Sequence, residues 1–211
     1  MKIVSVTSLP IPEVKVIRYQ RFADHRGYFT ETYRKSDFDR HPELGFLRGI
    51  DFTQCNESHS KSGTVRGLHF QWNPYMGKLV RTVAGRMVDL VLDIRKRSPT
   101  FGKIVACDLP CDPAASFGEW IWVPVGFAHG NYYPEESRIE YFCTGEWSPQ
   151  CEAGVSPLAP DIDWSQCDPA LKREFDGIIA AGPLLTDKDR DGFSLRSWLA
   201  DARSDNFVFG Q

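Results

Sequence analysis

Gly118-Glu119-Trp120-Ile121-Trp122-Val123-Pro124-Val125-Gly126-Phe127-Ala128-His129-Gly130-Asn131 is the stretch on which the fold turns. Trp120–Val123 is short, aromatic and β-branched, the composition of a strand. Pro124 has no N–H to continue a ladder, and Gly126 tolerates the backbone angles of a tight turn, so the strand must stop there. The next strand begins at once and carries His129 inward. A turn beside a structural histidine would explain the proline and glycine, but not the whole spacing of glycine, proline, glycine and histidine.

Working outward, residues 46 to 147 read as a procession of short strands separated by Gly, Pro and Asn. Leu79–Val83, Met87–Ile94, Lys103–Leu109, Trp120–Val123 and Ile139–Cys143 recur at close spacing. That rhythm predicts a mainly β chain folded as an antiparallel barrel or double-sheet jelly roll, and argues against βαβ units. Upstream, Val14-Lys15-Val16-Ile17 alternates, and Asp24-His25-Arg26-Gly27 is a turn before a strand over Tyr28–Tyr33. Ser36 followed by acidic residues predicts a short helix capped by Ser36 and ending near Gly45. Downstream the pattern becomes helical. Asp168-Pro169 is a cap and first-turn pair, Leu171, Phe175, Ile178 and Ile179 share a face, and Gly182 closes the helix. A second helix is expected after Ser194, with Leu195, Trp198 and Leu199 on its apolar side. The whole reads as one domain: N-terminal strands over 1–45, a barrel over 46–150, and a mostly helical and loop extension over 151–211 packed outside the barrel.

At 211 residues the chain suits one domain with an ordinary core, and 42% hydrophobic with 13% aromatic residues excludes wholesale disorder. A net charge of −3 with both signs interspersed offers no broad surface for nucleic acid or an anionic membrane, so an anionic ligand must meet a local cluster of cations. No apolar run reaches membrane-spanning length and the first residues lack a signal-peptide core, so a soluble, cytoplasmic protein is expected. Six cysteines at 55, 107, 111, 143, 151 and 167 form no CxxC pair, and scattered reduced thiols are expected.

Chemistry concentrates in Arg66-Gly67-Leu68-His69-Phe70-Gln71 and Gly77-Lys78-Leu79-Val80-Arg81. Strand alternation puts Arg66, Leu68 and Phe70 on one face and Gly67, His69 and Gln71 on the other. Taken alone, His69 could be a hydrogen-bonded barrel residue and Lys78 a surface charge. The Gly118 to His129 spacing, however, fits the second signature of cupin barrels, many of which bind a metal through two histidines and a carboxylate in their first motif. Here His69 stands alone, with no His-x-His and no glutamate at the expected interval, so a metal-free pocket is expected. Asp187-Lys188-Asp189-Arg190-Asp191-Gly192 copies the opening of a calcium loop, but its twelfth position is Trp198 instead of a bidentate glutamate, and calcium is rejected.

Together, several segments resemble the dTDP-4-dehydrorhamnose 3,5-epimerases and related deoxysugar-nucleotide epimerases over roughly residues 16 to 195. They are Asp24-x-Arg26-Gly27-x-Phe29-x-Glu31, Arg66–Gln71, Gly77–Arg81, Asp93-Ile94-Arg95-Lys96 with Ser98–Gly102, Pro124–Gly130, and Leu185-Thr186-Asp187-Lys188-Asp189. The resemblance implies a cupin-like barrel and a homodimer that exchanges N-terminal strands. It implies a cofactor-independent epimerase of a nucleotide-diphospho-4-keto-6-deoxysugar, with dTDP-4-dehydro-6-deoxy-D-glucose the first candidate, inverted at C3, C5 or both. His69 matches the family's base and Asp189 the aspartate that bonds it; a base that titrates near neutrality suits proton abstraction. Lys78 matches the cation at the developing oxyanion, and Tyr141, seven residues before Ser148-Pro149, the acid on the opposite face. Arg66 and His129 match pocket positions near sugar and diphosphate. Arg26, Phe29 and Glu31 match positions that reach across the dimer toward the nucleotide, while Gln54 and Asn56 could add amide hydrogen bonds.

The chain departs from the family pattern at three places. Glu57 replaces a histidine, the loop Trp72–Met76 is unusual, and extra sequence precedes Leu185. A CDP- or GDP-linked sugar therefore stays open. So do a barrel ketoisomerase, a metal-dependent cupin and a non-catalytic sugar-nucleotide-binding module.

Overall fold

A computed structural model describes residues 1–210; Gln211, the last residue of the expected 151–211 extension, lies outside them. The strands run β1 (Ile3–Ser8), β2 (Lys15–Gln20), β3 (Phe22–Asp24), β4 (Gly27–Phe29), β5 (Gln54–Ser60), β6 (Val65–Gln71), β7 (Lys78–Ala84), β8 (Arg86–Asp93), β9 (Ile104–Pro110), β10 (Phe117–Val123), β11 (Phe127–Tyr132), β12 (Ser137–Cys143) and β13 (Glu152–Gly154). The helices are α1 (Lys35–Arg40), α2 (Pro169–Ala180), α3 (Asp187–Arg190) and α4 (Leu195–Ala200), with 3₁₀ turns at Pro42–Leu47 and Ala202–Asn206.

Two antiparallel sheets face each other, in strand order β1-β2-β10-β7-β12-β5 and β13-β6-β11-β8-β9. This is the expected cupin-like double-sheet barrel. The hairpin β3-β4 stands apart as its own two-stranded sheet. The turn of Pro124 to Gly126 hands the chain from β10 in the first sheet to β11 in the second, with Gly126 at φ +91°. A side chain there would be strained, and its Cβ would lie 2.7 Å from the Arg95 chain.

Alternation along the strands divides the core into three layers. Val80, Val91, Val105, Ile121, Val123, Phe127 and Ile139 fill the space between the sheets. Ile17, Leu79, Trp120 and Trp122 point outward from the first sheet onto Phe38, Leu44 and Leu47 of α1 and the turn after it. Leu68, Phe70, Leu90 and Leu92 point outward from the second sheet onto Phe175, Leu195, Trp198 and Phe207. The C-terminal helices thus cover the outside of the barrel.

Local signals held best where a cap and an apolar stripe coincided. Asp168 accepts from the Ala170 amide to start α2, and Ser194 and Ser197 form a reciprocal capping box on α4. Three expectations are corrected. Ser36 is not a cap: the capping position falls two residues earlier, at Arg34, which makes no side-chain capping bond, and α1 starts at Lys35. It stops at Arg40 because the residue before Pro42 is pushed to extended geometry, and a 3₁₀ turn carries on to Leu47. The strand expected over Tyr28–Tyr33 ends at Phe29, beyond which no neighbouring strand pairs with it. Leu199 is 41% exposed, since α4 has room against the barrel only for Leu195 and Trp198.

Candidate active site

The site grows out of a break in the alternation of β6. His69 pairs with His129 and Arg66 with Asn131, so three steps on β6 face two on β11. This bulge shifts the phase by one residue. Val65, Leu68 and Phe70 face outward, whereas Arg66, Gly67 and His69 line the interior. The expectation that Arg66 shares a face with Leu68 and Phe70 is therefore corrected. The bulge depends on two glycines: at Gly67 (φ +103°) a Cβ would sit 2.5 Å from Gly130 Cα, and at Gly130 one would sit 2.4 Å from the Arg66 carbonyl. Only bare backbones can approach this closely.

His69 Nε2 lies 2.6 Å from Asp189 Oδ1, a contact across 120 residues of chain. The other carboxylate oxygen of Asp189 accepts from the Gly67 amide at 3.3 Å. Thr186 caps α3 and accepts from the Asp189 amide, which turns the 6%-exposed carboxylate inward, away from its exposed neighbours Asp187 and Asp191. Burial alone would raise the Asp189 carboxyl. The imidazole, the Gly67 amide and Thr186 outweigh that and hold it below the usual carboxylate range.

Lys78 and Tyr141 come from the opposite sheet. Lys78 pairs with Cys143 across β7 and β12, and Tyr141 is two residues from Cys143, so both side chains point to the same face. His69, Lys78 and Tyr141 together line a deep cavity of about 140 Å³, with Arg66, His129 and Asn131 in its walls. The same three residues line the wider mouth of about 480 Å³, with Gln54, Asn56, Met76, Trp147, Glu152 and Lys188. Lys78 retains partial solvent access but is ringed by protein, and burial depresses its pKa against the pull of Cys143, Asp89 and Glu152. Burial raises the Tyr141 phenol, which keeps it protonated at neutral pH, despite Asn56 and Arg66 nearby.

His129 is buried in a chain of polar groups. Its Nε2 lies 2.8 Å from Asp89, which also accepts from Asn131 at 3.1 Å, and the Tyr133 hydroxyl donates to Asn131 at 3.2 Å. Burial lowers the His129 pKa more than Asp89 raises it. Asp89, Asn131 and Tyr133 escaped the sequence reading. The signal for Asp89 was present, since a carboxylate inside the apolar run Met87–Ile94 must find a buried donor. Trp147, Glu152 and Lys188 were missed as well; the Trp147 indole and the Lys188 ammonium both donate to Glu152.

Gln54 accepts from the Trp147 amide at 2.8 Å and donates to Asn56 at 3.0 Å. Arg66 donates to Ser60 and to the His59 carbonyl. Arg26, Phe29 and Glu31 do not join the cavity within one chain. Arg26 pairs with Asp24 at 2.6 Å, Glu31 pairs with Arg34 and the N-terminal amine, and Phe29 is 68% exposed. Among the described residues, no group of three or more His, Cys, Asp or Glu side chains is arranged to hold a metal ion, no cysteine is disulfide-bonded, and no helix is long and apolar enough to cross a membrane.

Residues 8–197 match the family described as dTDP-4-dehydrorhamnose 3,5-epimerase. The chain is 37% identical over 192 residues to an enzyme of that name from Shigella flexneri, covering 89% of this chain and 94% of that one. It is 41% identical over 174 residues to that of Sinorhizobium fredii, covering 80% and 85%. Among solved structures it is similar, with TM-score 0.78 and 30% identity over 98% of both chains, to a dTDP-6-deoxy-D-glucose-3,5-epimerase from Legionella pneumophila in complex with dTDP-4-keto-L-rhamnose.

Proposed function

We propose, from the premise that this chain belongs to the dTDP-4-dehydrorhamnose 3,5-epimerase family and is an isomerase, that it inverts C3 and C5 of dTDP-4-dehydro-6-deoxy-D-glucose by proton exchange. Carbon–hydrogen bonds flanking a ketone are acidic because the carbanion delocalises onto oxygen. Inversion then needs a base on one face of the ring, an acid on the other and a charge at the oxygen.

With His69 Nε2–H donating to Asp189, the lone pair sits on Nδ1, and this nitrogen takes the proton. The C–H electron pair becomes the new C=C bond, and the carbonyl pair moves to oxygen. The Lys78 ammonium holds that oxyanion in a site where a low dielectric strengthens the attraction. The Tyr141 phenol protonates carbon from the opposite face, and the ketone re-forms. Water restores the phenol and relieves the imidazolium of its proton, so the sequence closes with no net redox change and no step that calls on a cofactor.

Arg66 and His129 hold the sugar and diphosphate, and Gln54 and Asn56 add amide contacts at the mouth. The exposed hairpin carrying Arg26 and Phe29, with Glu31 just beyond it, serves the site of a second copy in a homodimer. Glu57 and the Trp72–Met76 loop tune how the mouth holds the nucleotide.

The observation that carries this reading is the shared cavity: an imidazole from one sheet and a phenol from the facing sheet line it with an ammonium. Proton NMR of dTDP-4-keto-6-deoxyglucose in heavy water tests it. The native chain should erase two ring-proton signals and yield inverted product, and His69→Ala should erase neither. Full exchange in His69→Ala would remove His69 as the base.

A further inference from the structure

Trp147 lines the mouth with 59% of its surface exposed, yet it sits on a segment without regular structure. Residues 144–151, between β12 and β13, belong to no strand or helix, so their backbone polar groups need partners outside a ladder. The Gln71 side chain, at the end of β6 and 4% exposed, supplies them on both sides of Trp147. Its Nε2 donates to the Glu146 carbonyl at 2.9 Å, and its Oε1 accepts from the Ser148 amide at 2.7 Å. Nε2 also donates to the Pro74 carbonyl at 2.9 Å, which ties in the loop that carries Met76 to the mouth. Both N–H groups and the oxygen of this one amide are therefore engaged by the protein. Two more contacts orient the indole. The Trp147 amide donates to Gln54, and its ring N–H donates to Glu152, which pairs with Gln71 across β13 and β6.

We propose that Gln71 is a positioning residue of this site: it clamps the backbone on both sides of Trp147 and so fixes the indole beside the nucleotide half of the substrate. The inference rests on the epimerase reading above. His69, Lys78 and Tyr141 line both the inner cavity and the mouth, so the sugar ring belongs beside them and the nucleotide leads outward past Trp147. An indole already held in place meets its ligand without a further ordering cost, whereas a loose one must be ordered as the ligand binds. That gain is the same before and during the chemical step, so it belongs in KM and not in kcat. Gln71 is itself part of the mouth lining, but its donors are spent on Pro74 and Glu146, so it acts through Trp147.

A double-mutant cycle separates action through Trp147 from direct contact with the ligand. dTDP is titrated by calorimetry into the native chain, Gln71→Met, Trp147→Ala and the double variant. KM and kcat for inversion and a urea melt are measured on the same four proteins. Methionine matches glutamine in length and removes all three hydrogen bonds. If that variant does not fold, Gln71→Asn carries the same cycle, because it keeps the amide on a side chain one carbon too short to hold both loops.

Gln71→Met should weaken dTDP binding about fivefold or more, the low end of what one base–aromatic contact contributes, and raise KM with it while kcat stays within about twofold. In the Trp147→Ala background the same substitution should change dTDP affinity by less than about twofold. Unchanged affinity in a folded Gln71 variant, or a fall in kcat with KM untouched, would overturn the assignment. An equal loss in both backgrounds would overturn it too, since Gln71 would then meet the ligand directly. A native chain that binds dTDP but neither inverts nor exchanges the sugar would instead overturn the epimerase reading, and the binding cycle would still be read. The two failures are therefore distinct.

Discussion

Replacing Asp189 by asparagine changes one atom and tests the geometry of the dyad most sharply. The carboxylate now accepts twice, from His69 Nε2–H at 2.6 Å and from the Gly67 amide at 3.3 Å. An asparagine amide has one oxygen to serve two donors. If that oxygen stays on the imidazole, its NH₂ faces the Gly67 N–H and two donors collide. If it turns to Gly67, the NH₂ donates to Nε2 and drives the imidazole proton onto Nδ1, where the lone pair is needed. The second arrangement satisfies every group, so the wrong tautomer prevails. The equivalent tautomer error in a serine-protease triad costs about 10⁴ in kcat. At 1.36 kcal/mol per decade, that is about 5 kcal/mol of transition-state stabilisation. Stability should fall by only roughly 1.5–3 kcal/mol, the worth of a hydrogen bond to a charged group. The assay pairs steady-state kcat for inversion with a urea melt, so that folding loss is separated from catalytic loss. A folded Asp189→Asn chain whose kcat lies within one decade of native, about 1.4 kcal/mol, would show that tautomer control by Asp189 is not what the site needs.

Three further outcomes follow from the same geometry. Lys78→Met should lower kcat by about 10²–10³ while leaving the melting temperature unchanged or higher, since a buried cation whose pKa is depressed costs folding energy; a large drop in melting temperature would contradict this. His129, whose folded pKa lies below its ordinary 6.5, binds fewer protons folded than unfolded between those two values, so stability should rise with pH through that window and fall as pH drops below about 6.5. His129→Gln should flatten that slope in melts at stepped pH, and an unchanged slope would assign it elsewhere. Gly130→Ala should destabilise by about 1–3 kcal/mol and lower kcat together, because its Cβ meets the Arg66 carbonyl at 2.4 Å and must push β6, with His69, off β11. A neutral melt would mean the bulge is not held by that contact.

Much of this molecule is local and could be read as such. The strand rhythm of residues 46–147, the turn at Pro124 to Gly126, the cap at Asp168 and the capping box at Ser194 are set by neighbours a few residues apart, which is the range over which propensity and side-chain capping act. Ser36 shows the limit of that range. Its side chain suits a cap, but Pro42 and the packing of Phe38, Leu44 and Leu47 onto the first sheet decided where α1 lies.

The resemblance singled out His69, Lys78, Tyr141 and Asp189 as candidates, and the structure brings them to one cavity or its wall, but their mutual arrangement was not legible in the sequence. A period-two pattern assumes an unbroken ladder, and the bulge at Gly67 moved Arg66 to the other face. That bulge exists because Gly130, more than sixty residues away, presents bare backbone at the same height. The Asp189 carboxylate meets an imidazole 120 positions earlier, and Asp89 meets His129 across forty. Such partners are chosen by which strands lie side by side once the two sheets close. Backbone angles and caps are decided within a few residues, whereas a buried charge takes whatever donor the finished packing brings within reach.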